Sequence, residues 1–283
     1  MIEETDKDTF KDTDTVAGSG TGTGTDTVAG SGTGTDTDTD GVTVADAGKR
    51  TADGTVKGVM FDFSGTLFRV EPTADWLRAV VAEAGLDLPE AELADCARRL
   101  EQAGALPGGA NPRRLPPRLE TLWRERDLSS AKHRAAYTAL AREASLPSPE
   151  LADALYDRHR TPAAWRPYPD TASTLGALRE RGVPVAVVSN IGWDLRPVFR
   201  AHGLHHLVDA YLLSFEHGVQ KPDPGLFRAA CEALGQAPAD VLMVGDDPVA
   251  DAGAAALGCR VELVRHLPVE QRPDGLGAVL ELL

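Results

Sequence analysis

At 283 residues, of which 42% are hydrophobic and 25% charged, the chain has the composition of a globular protein with room for one large or two modest domains. Its formal charge of -14 is concentrated at the start, where residues 1–55 carry twelve acidic and four basic side chains; the remainder offers no basic face for nucleic acid and no polybasic patch for a membrane. No run approaches the roughly 20 apolar residues of a membrane span, and Met1-Ile2-Glu3-Glu4-Thr5-Asp6 lacks the basic start and apolar stretch of a secretory signal, so a cytoplasmic protein is expected.

Residues 1–55 are built from Thr, Gly, Asp and small residues, and the unit running from Thr13 to Gly20 recurs from Thr25 to Gly32. With Phe10 as its one aromatic residue, this stretch cannot bury enough apolar area to offset its ordering entropy, and a disordered acidic tail is expected. The first folded element is predicted at Val59-Met60-Phe61-Asp62-Phe63, where four large apolar residues surround one carboxylate. Such a run reads as a buried central strand that delivers Asp62 to its carboxyl end. Gly65 follows and permits a sharp turn, which would bring Asp62 and the Ser64 main-chain carbonyl to one small space; an aspartate that merely caps the turn is the competing reading.

Residues 69–166 show no strand pattern and are read as a helical insertion. Amphipathic stretches at 76–84, 88–100, 119–123, 135–144 and 151–156 are broken by prolines such as Pro89, Pro107, Pro112 and Pro149. Arg113, Arg114 and Arg118 cluster in one proline-bounded loop and read as solvated. Lys132 and His133 open a polar helix start that reads as exposed. From Asp170 onward helix and strand alternate. Asp170 or Thr171 is placed to cap a helix over 172–181, and Val183 to Val188 is a second buried-type strand running into Ser189-Asn190. A helix over 195–202 and a third strand near 210–215 follow, and Lys221 lies in the next loop. Asp223-Pro224 begins a helix to Leu234. The fourth strand, Val241 to Val244, ends in Gly245-Asp246-Asp247; a helix over 249–257, a strand over 260–264 and a helix near 276–283 complete the chain. This alternation specifies a parallel sheet covered by helices on both faces.

Cys96, Cys231 and Cys259 are odd in number and form no Cys-x-x-Cys pair, so neither a disulfide framework nor a zinc site is indicated. Cys96 falls in line with Leu93 and Leu100, and Cys231 with Phe227 and Leu234, as core residues do. His202, His205 and His206 lie away from any carboxyl end of a strand and read as surface or packing residues. The groups that do fall beyond strand ends are Asp62, Ser189 with Asn190, Lys221, and Asp246 with Asp247 and Asp251, where ligands of open parallel sheets bind. Asp247, before Pro248, and Asp251, in a first helical turn, also have purely structural readings as a cap and a dipole partner.

In these segments the chain resembles the haloacid dehalogenase (HAD) superfamily of hydrolases. The family's four motifs match in order: Asp-Phe-Ser-Gly-Thr at 62–66, Val-Val-Ser-Asn at 187–190, Lys221-Pro222, and Val-Gly-Asp-Asp-x-x-x-Asp at 244–251. The resemblance covers 57 to about 265. It implies a HAD-like, Rossmann-like α/β core with a doubly wound parallel sheet, formed by 56–68 and 167–283, and an inserted all-helical cap over 69–166. It further implies that Asp62 is the nucleophile, that Asp62, the Ser64 carbonyl and Asp246 hold Mg2+, and that Ser64, Gly65, Ser189, Asn190 and Lys221 meet a small phosphorylated or otherwise anionic substrate. Lys221 would neutralise charge in the transition state, and Asp247 and Asp251 would stand behind the metal site.

One position departs from the pattern. Phosphatases of this family carry a second aspartate two residues after the nucleophile, as general acid; here it is Ser64, whose hydroxyl cannot deliver a proton efficiently at neutral pH. A phosphohydrolase restricted to good leaving groups, a Mg2+- or phospho-ligand-binding module without useful turnover, and a dehalogenase or phosphonatase-type hydrolase all remain open at this stage. Phosphonatase chemistry needs a cap lysine, for which Lys132 is the one candidate.

Overall fold

The computed structural model describes residues 55–283, so the expected disorder of the tail falls outside the described residues. Among the described residues seven strands are formed: β1 (Gly58–Phe61), β2 (Phe68–Val70), β3 (Trp165–Pro167), β4 (Val185–Ser189), β5 (Ala210–Leu213), β6 (Val241–Gly245) and β7 (Arg260–Leu263). Five of them make one parallel sheet in the order β5-β4-β1-β6-β7. The chain leaves β1 toward β4 on one side and returns to β6 on the other, so β1 is the strand at which the winding reverses. Phe61 pairs with Val187 of β4 and Val244 of β6, which brings Asp62, Ser189 and Asp246 out at the same edge of the sheet. This is the crevice in which open α/β sheets bind ligands.

Alternation along β1 divides the core. Val59 and Phe61 face one layer with Leu175, Leu178, Val198, Phe199, Leu276 and Val279. Met60 faces the other, with Leu226, Phe227, Ala230, Cys231 and Leu234. Burial of each such large side chain contributes roughly 1.5–3 kcal/mol, and β1 has no exposed face at all.

The helices are α1 (Thr73–Glu83), α2 (Glu90–Ala103), α3 (Glu120–Arg124), α4 (Ser130–Glu143), α5 (Leu151–His159), α6 (Thr171–Glu180), α7 (Arg196–Ala201), α8 (Ser214–His217), α9 (Pro224–Leu234) and α10 (Gly277–Glu281). Asp223 accepts from Gly225 N at 2.7 Å and Gly235 closes α9 at φ 64°, as the Asp-Pro start suggests. None of these helices is long and apolar enough to cross a membrane.

The helical stretch between β2 and β3 holds α1 to α5, but the sequence reading of 69–166 as free of strand is corrected at both ends. β2 and β3 pair antiparallel, Val70 opposite Trp165 and Phe68 opposite Pro167. Three-residue strands are too short for a period-2 pattern to register, and Pro167 masks the second. Trp76 Nε1 donates to Leu155 O at 2.9 Å and Trp165 Nε1 to His159 O at 2.6 Å, which ties α1 and β3 to α5.

Three further readings change. Asp170 does not cap α6 through its side chain; its Oδ2 accepts from Gly275 N and Leu276 N at 2.7 and 2.6 Å and fastens the C-terminal segment. The stretch after β6 is a 3-10 helix over Asp251–Leu257 instead of an α-helix. At its Gly253 a Cβ would lie 2.6 Å from Pro222, so the backbone approaches the Lys221 loop more closely than a larger residue allows. His133 is fully buried, although Lys132 beside it is half-exposed and pairs with Glu125 at 2.7 Å; adjacent helical residues differ by about 100° in direction.

The three cysteines are free and buried, with Cys231 and Cys259 sulfurs 3.9 Å apart. His202 packs edge-on against Phe68 and His205 stacks on Tyr211, away from the sheet's carboxyl edge.

Candidate active site

Beyond the carboxyl edge of the sheet opens a cavity of about 590 Å³ whose wall includes Asp62, Ser64, Ser189, Asn190, Lys221, Asp246, Asp247 and Asp251. The structure therefore brings together every side chain expected there from the strand ends. Asp62, 7% exposed at the end of β1, accepts from Lys221 Nζ at 2.7 Å, and the same ammonium donates to Asp251 Oδ1 at 2.5 Å. Burial pushes the Asp62 carboxyl up, to about 8, with Asp251 and Asp246 adding to the rise and Lys221 opposing it. Burial also works against the Lys221 charge, but Asp251 and Asp62 outweigh it and hold the ammonium protonated above the ordinary lysine range.

Lys221 is itself aimed by its backbone. Asn190 Nδ2 donates to Lys221 O at 2.9 Å and Lys221 N donates to Asn190 Oδ1 at 2.7 Å. The Asn190 amide, expected to meet substrate, is thus engaged at both ends with the Lys221 loop. Asp251 plays a comparable part: Oδ1 is held by Lys221, and Oδ2 accepts from Asp247 N at 2.9 Å. Asp247 accepts from Val249 N and Ala250 N at 2.8 and 2.9 Å, which is the capping role open to it from the sequence.

One oxygen from each of Asp62, Asp246 and Asp251 lies within 4.8 Å of the other two. Converging hard carboxylate oxygens are the donors a small divalent cation takes, so the residues present fit Mg2+. Asp251 enters this cluster where the sequence reading set it behind Asp246, yet both its oxygens already have partners. Asp246 accepts from Thr66 Oγ1 at 3.4 Å and is bonded to His266 Nδ1. Gly65, at φ 91°, has no room for a Cβ, which would overlap the Asp246 carboxylate and His266. This is the close approach that the Asp-x-x-Gly spacing anticipates.

The helical stretch supplies wall residues that sequence reasoning missed: Arg69, Gly108, Arg126, Asp127, His133 and Tyr137. Ser64 Oγ donates to Gly108 O at 3.5 Å, and Arg69 Nη1 to the same oxygen at 2.6 Å. Lys132 does not reach the wall. Arg113 contributes to a neighbouring cavity of about 420 Å³ instead, and Arg118 pairs with Glu143.

Arg272 was also missed. It is 4% exposed, its guanidinium lies 3.2 Å above the Tyr168 ring, and it donates to Gly65 O at 2.6 Å and to Thr66 O. It thereby clamps the turn that follows Asp62. Arg272→Met is expected to destabilise the fold by about 3 kcal/mol, because two carbonyls lose a charged donor. A thermal midpoint unchanged from that of the parent protein would show the clamp to be idle.

A family model described as haloacid dehalogenase-like hydrolase matches residues 56–258, and the chain belongs to that family of hydrolases. It is 32% identical over 200 residues to a glyceraldehyde 3-phosphate phosphatase of Methanopyrus kandleri, covering 68% of this chain and 76% of that one. It is 41% identical over 110 residues to a phosphoserine phosphatase of Thermus thermophilus, covering 38% of this chain and 43% of the relative, so that match spans under half of the relative's length. A (S)-2-haloacid dehalogenase of a Pseudomonas strain is 31% identical over 156 residues, covering 50% and 67%. Among solved structures, a dehalogenase superposes at TM-score 0.58 with 23% identity, over 81% of this chain and 97% of its own, a likeness of fold.

Proposed function

We propose that the protein is a Mg2+-dependent phosphohydrolase of a small phosphorylated metabolite, working through an aspartyl phosphate on Asp62. The observation that carries this reading is the carboxylate cluster of Asp62, Asp246 and Asp251 with the Lys221 ammonium between two of its members. Residues 69–166 act in this reading as a cap over a core formed by 56–68 and 167–283. Asp62, Asp246 and the Ser64 main chain would hold Mg2+, which when bound supplies positive charge to a phosphoryl oxygen.

The remaining steps belong to the chain's own side chains. Asp62 attacks phosphorus in line with the leaving oxygen. Ser189, at the end of β4, donates to a phosphoryl oxygen, and Lys221 offsets the charge gathered there. Asn190 and Asp251 keep Lys221 in position. A dehalogenase needs no metal, and that reading leaves the clustering of three carboxylates without a purpose. A Schiff-base mechanism lacks its lysine, since Lys132 is outside the cavity wall and paired with Glu125.

The test is a panel of phosphate monoesters and 2-haloacids, each assayed with Mg2+ and with chelator. Phosphate release that disappears on chelation is expected. Halide release without metal would replace this reading with dehalogenation, and tight Mg2+ binding with no turnover of any panel member would replace it with a binding module.

A further inference from the structure

With Ser64 in place of an acid, the described titratable groups at the strand ends are all already engaged, His266 beyond β7 with Asp246. Lys221 is committed to two carboxylates, and Asp247 and Asp251 to backbone amides and to Lys221. The wall of the same cavity presents a different carboxyl. Asp127 is 2% exposed and lines the same cavity as Asp62 and Lys221. Among the described residues its carboxylate makes no hydrogen bond. Arg126 Nε lies 3.4 Å from Oδ2, and that nitrogen has no hydrogen-bond partner; His133 Nε2 is 3.7 Å from Oδ1, too far for a bond. Asp127 thus has the Arg126 charge beside it but no hydrogen bond to its oxygens, and a buried carboxyl whose hydrogen bonds are unmade is costly. It is the kind of cost that persists where a ligand completes the site.

The backbone carrying Asp127 is fastened to the loops that carry the chemistry. Ser214, which follows β5, donates through Oγ to Asp127 O at 2.6 Å. Gln220, next to Lys221, donates to Arg124 O at 2.9 Å. His133 is wedged against Gly192, two residues beyond Asn190, where a Cβ would overlap the imidazole, and its Nδ1 is 2.8 Å from Tyr156 Oη. The turn 126–128 is therefore held in place at the cavity wall. Burial raises the Asp127 carboxyl above the usual range, with Arg126 and then Lys221 opposing, which favours its protonated form.

We propose that Asp127 is the general acid and base that Ser64 cannot be. This rests on the phosphohydrolase reading. As an Asp62 oxygen bonds to phosphorus, the bond from phosphorus to the leaving oxygen breaks, and that oxygen takes the proton of the Asp127 carboxyl. In the second half the Asp127 carboxylate takes a proton from the water that attacks phosphorus. The Asp62–phosphorus bond then breaks, phosphate leaves, and both aspartates return to their starting forms.

The experiment is a series of aryl and alkyl phosphates of rising leaving-group pKa, with kcat/KM measured for the full chain with Mg2+ and for Asp127→Asn. The expected result is a shallow dependence on leaving-group pKa in the parent protein and a steep one in the variant. The alkyl esters should lose about 100-fold more than the nitrophenyl ester, within the range that proton transfer supplies. Equal losses across the series would make Asp127 merely structural and overturn the proposal. If the variant does not fold, the parent series decides alone, since a steep dependence there means that nothing protonates the leaving group. A parent protein that turns over no ester in the series instead brings down the phosphohydrolase reading, a failure recognisably different from the other two.

Discussion

Asp62→Asn should remove turnover of aryl phosphates by a factor of about 10⁴ or more, the scale on which loss of a covalent nucleophile acts, while leaving the fold as stable as before or more so. The second half of that expectation comes from the site's electrostatics. The Asp62 carboxyl is pushed up by burial, and by Asp251 and Asp246, against the pull of Lys221. A carboxyl whose folded pKa lies above its unfolded value binds protons better in the native state, so it costs stability progressively as pH rises from about 4 toward about 8. An amide of the same shape removes that cost, and Lys221 keeps Asp251 as a partner. Thermal midpoints of the two proteins should therefore coincide near pH 4 and separate toward pH 8, with the variant higher. Undiminished turnover in the variant would dismiss Asp62 as nucleophile. A variant midpoint that falls with rising pH as steeply as the parent's would dismiss the account of its burial.

The parts of this site that could be read from sequence share one property: each lies at the end of a short apolar run whose direction and depth are fixed by the parallel sheet. Phe61-Asp62, Val188-Ser189 and Gly245-Asp246 are such positions, and their register across β1, β4 and β6 brings them together. Lys221 has no such run before it and was legible only through its place in the motif order. The helical stretch obeys a different rule. On an amphipathic helix the buried and exposed faces are separated by one residue, and which face meets the cavity depends on packing that no local pattern specifies. Hence Lys132 and His133 looked alike in sequence and point to solvent and to the interior respectively. Asp127, between Arg126 and Leu128, was invisible for the same reason.

Asp170 and Arg272 illustrate a second limit. Each makes its bonds across about a hundred residues or more, Asp170 to the amides of Gly275 and Leu276, Arg272 to the carbonyls of Gly65 and Thr66. Side chains that satisfy distant backbone groups leave no periodic trace. The position of Ser64 also acquires a physical context. Its hydroxyl faces the Gly108 carbonyl from the helical stretch, and a charged carboxylate at 64 would meet that oxygen with repulsion. A proton donor elsewhere on the cavity wall avoids the conflict.

Lys221→Met should weaken both chemistry and fold, and the two losses should respond differently to conditions. The ammonium is 4% exposed and bridges Asp62 and Asp251; removing one member of a buried ion pair typically costs about 3–5 kcal/mol, because the charge left behind has no partner. Turnover should fall by about 10²–10³ as a donor to the transition state disappears. Without the pull of Lys221 the Asp62 carboxyl holds its proton more tightly still than in the parent, so the variant gains stability relative to the parent as pH falls from the alkaline side toward about 8. A divalent cation should do the same by another route. Without the ammonium, the cluster of Asp62, Asp246 and Asp251 carries more uncompensated charge, binds Mg2+ more tightly, and is stabilised in proportion to the logarithm of the cation's excess over its dissociation constant. Added Mg2+ should thus raise the thermal midpoint of Lys221→Met more than that of the parent, yet leave most of the lost turnover unrestored, since the cation does not stand between Asp62 and Asp251 where the ammonium offsets the phosphoryl charge. Equal Mg2+ shifts in the two proteins would mean that the three carboxylates do not share one cation and that the metal assignment is wrong.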